Sequence, residues 1–202
     1  KWFQSEFAHK EEEQAKIKGI TALELLDKRL EEIPPGSEGL MLQPYWGKEL
    51  LRPEAKGSII GFEDEHTRIH VYRAIIEGLG YALLEGIEEI ERKSKYKLER
   101  IALTGGGSQS DIICQIAANI FNREVYKVQT YETSGLGAAM ASFVGLGKYK
   151  DIYEAAKYMV HPKDFFMPEK DNVEIYSKLY NRVYKKTYKK LKNLYKEIEE
   201  II

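Results

Sequence analysis

Three consecutive glycines, Gly105-Gly106-Gly107, lie between a compact apolar run, Arg100-Ile101-Ala102-Leu103-Thr104, and a segment from Asp111 to Phe121. In that segment Ile112, Ile113, Ile116 and Ile120 recur at helical spacing, so the order predicts a strand, a tight turn and a helix. Residues without a Cβ let another molecule approach the backbone, and the first N–H groups of a helix have no partner within it. Such a turn therefore offers space and donors together, and a nucleotide is its usual guest. Two familiar nucleotide loops are excluded. No Gly-Lys-Ser/Thr follows, and Ser110 stands where the G-x-G-x-x-G fingerprint needs its third glycine. Asp111 at the helix start suits the helix dipole but would repel a polyphosphate placed directly on it, which puts the nucleoside end nearer this helix. A turn that uses glycine only to reach positive φ fits the same local pattern.

Other residues could do chemistry but fit it less well. His66 and His70 share a helix face at metal-ligand spacing. The Glu of an H-E-x-x-H zinc motif is missing between them, and Arg68 would oppose a dication, so capping and packing explain these histidines better. Near the C-terminus, Tyr184-Lys185-Lys186 and Tyr188-Lys189-Lys190 mix stacking and charge as RNA-binding segments do. The tyrosines follow an apolar stripe, Tyr176, Tyr180, Val183, Tyr184, Leu191, Leu194, Tyr195 and Ile198, so a core helix with a solvated basic face is the better reading. Gly135, Gly137 and the alanines beside them allow close helix approach, for packing as readily as for a ligand.

The elements that must position these residues can be read from period and punctuation. A helix is predicted from Glu11 to about Leu30, ended by Pro34-Pro35-Gly36, then short strands at Leu40–Leu42 and Ser58–Phe62. A long helix runs from His66 to about Lys95, with Gly78 and Gly80 inside it, each costing about 1 kcal/mol against alanine unless close packing requires it. After the Asp111 helix come a strand at Glu124–Val128, a helix capped by Ser134 and closed by Gly145–Gly147, and a short helix from Asp151 to Met159. A loop is predicted at Pro162–Pro168, and a last helix from Asn172 to the end. No linker composition divides the chain, so residues 1–202 read as one domain.

Composition bounds the partners. The 31 Lys plus Arg balance 32 Asp plus Glu, leaving no basic excess to draw the chain onto nucleic acid or an anionic membrane. No apolar stretch is long enough to span a bilayer. The lone Cys114 excludes an internal disulfide framework and any CxxC pattern, and a cytoplasmic setting is expected. The chain opens on Lys1 rather than Met, as a piece of a longer protein would, with no secretory signal pattern after it.

Taken together, the segments resemble the C-terminal domain of the FGGY family of carbohydrate kinases, whose xylulose, glycerol and gluconate kinases are typical members. The signature joins a glycine-bearing strand to a helix through Gly57, Ile59, Gly61, His70, Val71, Ala74, Glu77 and Gly78. In the family's order stand Gly39-Leu40 through Pro44-Tyr45-Trp46, His66-Thr67-Arg68, Thr104 through Ser108 with Gln115, and Glu132 through Gly135, Gly137, Ala138 and Ala139. Trp2-Phe3 and the tyrosine-rich final helix fit as well. Phe62 departs from the usual small aliphatic residue, and the loop after Gly47 lacks a Gly-Glu-Arg-x-Pro run.

The resemblance implies an α/β, actin-like ATPase (ribonuclease H-like) domain, a mixed sheet flanked by helices. It implies binding of ATP or ADP along Gly105, Gly106 and Gly107, with Ser110 within reach of the adenine and Mg2+ accompanying the phosphates. It also implies a partner, the N-terminal kinase domain, which carries the sugar or polyol site, the phosphate-gripping Asp-x-Gly-Thr loop and the catalytic base. None of these motifs occurs here. The chain alone is therefore expected to lack catalytic residues and kinase activity, and a homodimeric parent is compatible with the resemblance. A non-catalytic nucleotide-binding module of the same fold, or a helix-mediated interaction domain, is the alternative.

Overall fold

The computed structural model describes residues 2–47 and 52–202. The loop after Gly47 noted above lies largely in residues 48–51, outside that description. Three short helices open the chain: α1 (Trp2–Phe7), α2 (His9–Lys18) and α3 (Ala22–Arg29). Apolar spacing predicts one helix over this region, and the structure corrects it. Gly19, at φ 66°, caps α2 in the left-handed conformation. Thr21 then starts α3 through a capping box: its Oγ1 accepts from Glu24 N–H at 3.2 Å, and Glu24 Oε1 accepts from Thr21 N–H at 3.1 Å. Stop and start signals outweigh the period, and Ile17, counted into the apolar face, is 86% exposed.

Strands β1 (Met41–Gln43) and β2 (Ser58–Ile60) pair antiparallel, with Met41 opposite Ile60. Helix α4 (Arg68–Ser94) begins at Thr67, whose Oγ1 accepts from Ile69 N–H, while the His70 ring accepts from Thr67 N–H at 3.1 Å. The glycine inside α4 has a packing reason: a Cβ at Gly78 would stand 2.3 Å from the Leu42 carbonyl oxygen, so the helix lies directly on β1.

A second sheet, ordered β3-β4-β5, holds the predicted strand–turn–helix. Strand β3 (Arg100–Ala102) leads through the turn to α5 (Asp111–Phe121), which crosses back to β4 (Glu124–Val128), parallel to β3. Strand β5 (Pro162–Phe166) runs antiparallel to β4, with a register shift at Tyr126/Lys127. That stretch reads as a loop because Pro162 and Asp164 (φ 46°) interrupt any strand pattern; on a sheet edge both are tolerated. The mixed sheet with helices against it is the expected fold class. Between β4 and β5 lie α6 (Thr133–Gly145) and α7 (Ile152–Met159). Ser134 does not cap α6: the helix starts after Glu132 without a side-chain cap, and Ser134 is inside it.

The C-terminal segment is α8 (Lys170–Leu179), a π turn at Tyr180–Tyr184, and α9 (Lys185–Ile201). Tyr176, Tyr180 and Tyr184 are four residues apart, and the wider π turn keeps all three buried on one face. Their rings surround Tyr81 of α4, with centroids 5.1–6.3 Å from it. Further on the predicted stripe fails: Leu194 is 52% exposed, Val183 and Ile198 are exposed too, and in α9 only Thr187 and Tyr195 are buried. No helix among the described residues is long and apolar enough to cross a membrane.

Arg73 and Glu77, one turn apart on α4, are both buried and tie these parts together. Arg73 donates to the carbonyls of Leu30 (2.6 Å) and Ile33 (2.7 Å), to Glu77 Oε1 (2.8 Å) and to the Tyr176 hydroxyl (2.9 Å). Glu77 also accepts from Gly36 N–H, Ser37 Oγ and the Tyr176 hydroxyl at 2.8–3.0 Å. Removing one member of such a pair strands the other charge away from water. Glu77→Leu should cost about 3–5 kcal/mol and Tyr176→Phe about 1–3 kcal/mol in urea unfolding. A Glu77→Leu loss below about 1 kcal/mol would show that the pair is not what holds α4 to α8.

Candidate functional site

The glycine turn joins β3 to α5 through a short 3-10 turn, Gly106–Gln109. Gly105 has φ 80° and ψ −171°, a conformation that a side chain resists. Its carbonyl accepts from the buried Ser108 hydroxyl at 2.7 Å, and its N–H donates to the Tyr131 carbonyl at 3.3 Å. Gly106 and Gly107 differ. Neither has positive φ, and a Cβ on either would meet no atom within 4 Å. The fold therefore needs glycine at 105 for its backbone and leaves the next two positions open. As the first residues of the 3-10 turn, Gly106 and Gly107 have N–H groups with no acceptor within it.

Ser110 caps α5, its Oγ accepting from Ile113 N–H at 3.4 Å. The Asp27 carboxylate of α3 accepts from the Tyr72 hydroxyl of α4 at 2.7 Å. Burial raises the Asp27 carboxyl above its ordinary range, and the bond from the Tyr72 hydroxyl only partly offsets this. The Tyr72 phenol is pushed up by burial and by its bond to Asp27. Gly106, Gly107, Ser110 and Asp27 line one cavity of about 840 Å³, together with Trp2, Phe3, Trp46, Lys28 and Leu79. Trp2 and Trp46 meet at the cavity wall, their rings 5.2 Å apart.

The structure thus brings the expected Gly106, Gly107 and Ser110 to a common wall and adds Asp27 and Tyr72. The only advance signal for these two was the Thr21/Glu24 capping box, which fixes where α3 starts. Their meeting, 45 residues apart in sequence, leaves no local pattern. At the start of α5, Lys127 Nζ pairs with the Asp111 carboxylate.

His66 and His70 serve loop structure. His70 Nε2 meets Glu38 Oε2 at 2.8 Å, while His66 Nδ1 accepts from Glu63 N–H at 2.9 Å and its Nε2 lies 3.3 Å from the Glu38 carbonyl. Among the described residues no group of three His, Cys, Asp or Glu could hold a metal ion. Cys114 is buried, which pushes its thiol up to about 11 and leaves it unreactive.

Residues 1–146 match the C-terminal domain of the FGGY family of carbohydrate kinases. The chain is 33% identical over 182 residues to gluconokinase of Bacillus licheniformis, covering 89% of this chain and 35% of that protein. It is 32% identical over 188 residues to xylulose kinase of Lactococcus lactis subsp. lactis, covering 91% and 36%. The crystal structure of gluconate kinase from Lactobacillus acidophilus superposes with a TM-score of 0.74 at 28% identity, over 88% of this chain and 36% of that one. The chain spans about a third of the length of the curated relatives it matches.

An acid whose folded-state pKa is raised weakens the fold as it ionises: the penalty is absent below the unfolded carboxyl pKa and complete above the folded one. Asp27→Asn keeps an oxygen for the Tyr72 hydroxyl and removes the charge. It should raise the melting temperature at pH 7, with the gain shrinking towards pH 4. A lower melting temperature at pH 7 than at pH 4, relative to the native chain, would contradict the assignment of burial as the dominant effect on Asp27.

Proposed function

The chain belongs to the FGGY family of carbohydrate kinases, and from that premise we propose that it is, as one domain, the nucleotide-side half of an ATP-dependent kinase for a sugar or polyol. The observation that carries this reading is the pair Gly106 and Gly107. Their lack of side chains serves no need of the fold, and they line an 840 Å³ cavity beside Ser110. Space and free N–H groups at that point suit a nucleotide's backbone contacts. Mg2+ would arrive on the phosphates of the bound nucleotide, and among the described residues no ligand set is assigned to it.

A second observation supports a partner domain. Helix α6, Thr-Ser-Gly-Leu-Gly-Ala-Ala-Met-Ala-Ser-Phe-Val-Gly, carries no charge, yet none of its residues is buried. An apolar helix left open in this way is what a covering domain would explain. In this reading the N-terminal domain brings the acceptor hydroxyl and its base, and positioning of both reactants, which can supply about 7–11 kcal/mol of barrier reduction, requires the two halves together. The rival reading of the C-terminal Tyr/Lys helix as an RNA-binding arm finds less support, because Tyr180, Tyr184 and Tyr195 are buried and not available for stacking.

Gly106→Val tests the nucleotide site. The added side chain meets no protein atom at its Cβ, so the fold should survive. Calorimetric titration with ADP should show binding weakened at least about tenfold, or about 1.4 kcal/mol. Unchanged ADP affinity in a folded variant would leave the turn with a structural role only.

A further inference from the structure

The inner face of α9 is anchored to its own chain. Thr187 and Tyr195 are buried, the Tyr188 hydroxyl donates to Glu54 at 2.7 Å, and that of Tyr195 donates to Ser58 Oγ at 3.0 Å. Beside that face Leu191 is half-buried, and Leu194, Ile198 and Ile201 are exposed. Set three, four and three residues apart, these four form one line along the helix, at the spacing with which helices pack in pairs. No residue of α9 lines the glycine-turn cavity, and the family match ends at residue 146, before this helix begins.

Charge on the outer edge of this line is sorted into two blocks. Lys186 and Lys190 are four residues apart, Glu197 and Glu200 three apart, and all four are exposed. They have no ion-pair partner among the described residues, whereas Lys185 and Lys192 pair with Glu88 and Glu54. Like charges at these spacings repel within a helix. Glu200 also stands in the last turn, which holds no basic residue, and so opposes the helix dipole. Within one copy the arrangement is unfavourable. Against a second copy running the other way it becomes favourable, because the basic end of each helix faces the acidic end of the other. A parallel copy would set like blocks together.

We propose that α9 is a self-association surface through which two copies of this chain pair antiparallel. The twofold axis lies beside Asn193. Leu191 of each copy then packs on the partner's Leu194, and Lys190 of each faces the partner's Glu197. Tyr188 and Tyr195, on the inner side of the line, stay with their own chain.

The test is sedimentation velocity of the 202-residue chain at low salt, from about 10 to about 500 µM. A helix of 17 residues is about 26 Å long, which places the contact at the small end of specific interfaces, so the dimer should appear in the upper part of that range. Leu194→Glu should weaken association at least about tenfold. Lys190→Glu and Glu197→Lys should each weaken it at least about threefold, and the double variant, which exchanges the two charges, should return it to within about twofold of native. Leu194, Lys190 and Glu197 are exposed, so the fold should survive each change, as circular dichroism and melting would verify. A monomer over the whole range, a dimer that Leu194→Glu leaves intact, or a double variant no better than the singles would overturn the proposal.

Discussion

The buried Arg73–Glu77 pair is the interaction on which the rest of the structure depends. A carboxylate that accepts from Gly36, Ser37, Arg73 and Tyr176, and a guanidinium that donates to Leu30, Ile33 and Tyr176, leave few polar groups unmatched where water is excluded. The pair itself contributes little net energy once desolvation is counted. Its effect is positional: the end of the α3 region, the turn before β1 and the C-terminal α8 are all held against one turn of α4.

From that turn the site follows by short steps. Tyr72 precedes Arg73 on α4 and points to α3, where it holds Asp27; Asp27 and Ser110, at the head of α5, line the same cavity. Gly78, a turn and a half further on, seats α4 on β1, and Tyr81 anchors the tyrosines of the C-terminal segment. The glycine turn lies at the mouth of this arrangement, with its own conformation set locally by Gly105 and Ser108. A rigid frame with an open pair of glycines is what close approach to another molecule's backbone contacts requires.

The strand, turn and helix around Gly105–Gly107 were legible in the sequence because each signal is local: an apolar run, glycines, a polar cap and helical spacing within about twenty residues. Strand β4 keeps the bounds read from its residues, Glu124–Val128. Elements set by distant contacts were not legible. The β5 edge strand has pairing from β4 but a Pro and a left-handed Asp164 in its own sequence, and the π turn at Tyr180–Tyr184 answers to packing around Tyr81. The break between α2 and α3 was legible in principle, since Gly19 and Thr21-x-x-Glu24 are strong punctuation that the apolar period masked. Of the candidate site, the glycines and Ser110 could be named from order and type, whereas Asp27 and Tyr72 join it only through the fold.

As proposed, this chain is one of two walls of an active site, able to hold a nucleotide but not to bring an acceptor hydroxyl to it. The direct test is a coupled ADP-release assay with ATP and Mg2+ over a panel of polyols, ketoses and aldonic sugars. It is run on the 202-residue chain alone and again with the separately expressed N-terminal half of the parent protein. The predicted result is no sugar-dependent ADP release by the chain alone and turnover when both halves are present. Sugar-dependent turnover by the chain alone would contradict it.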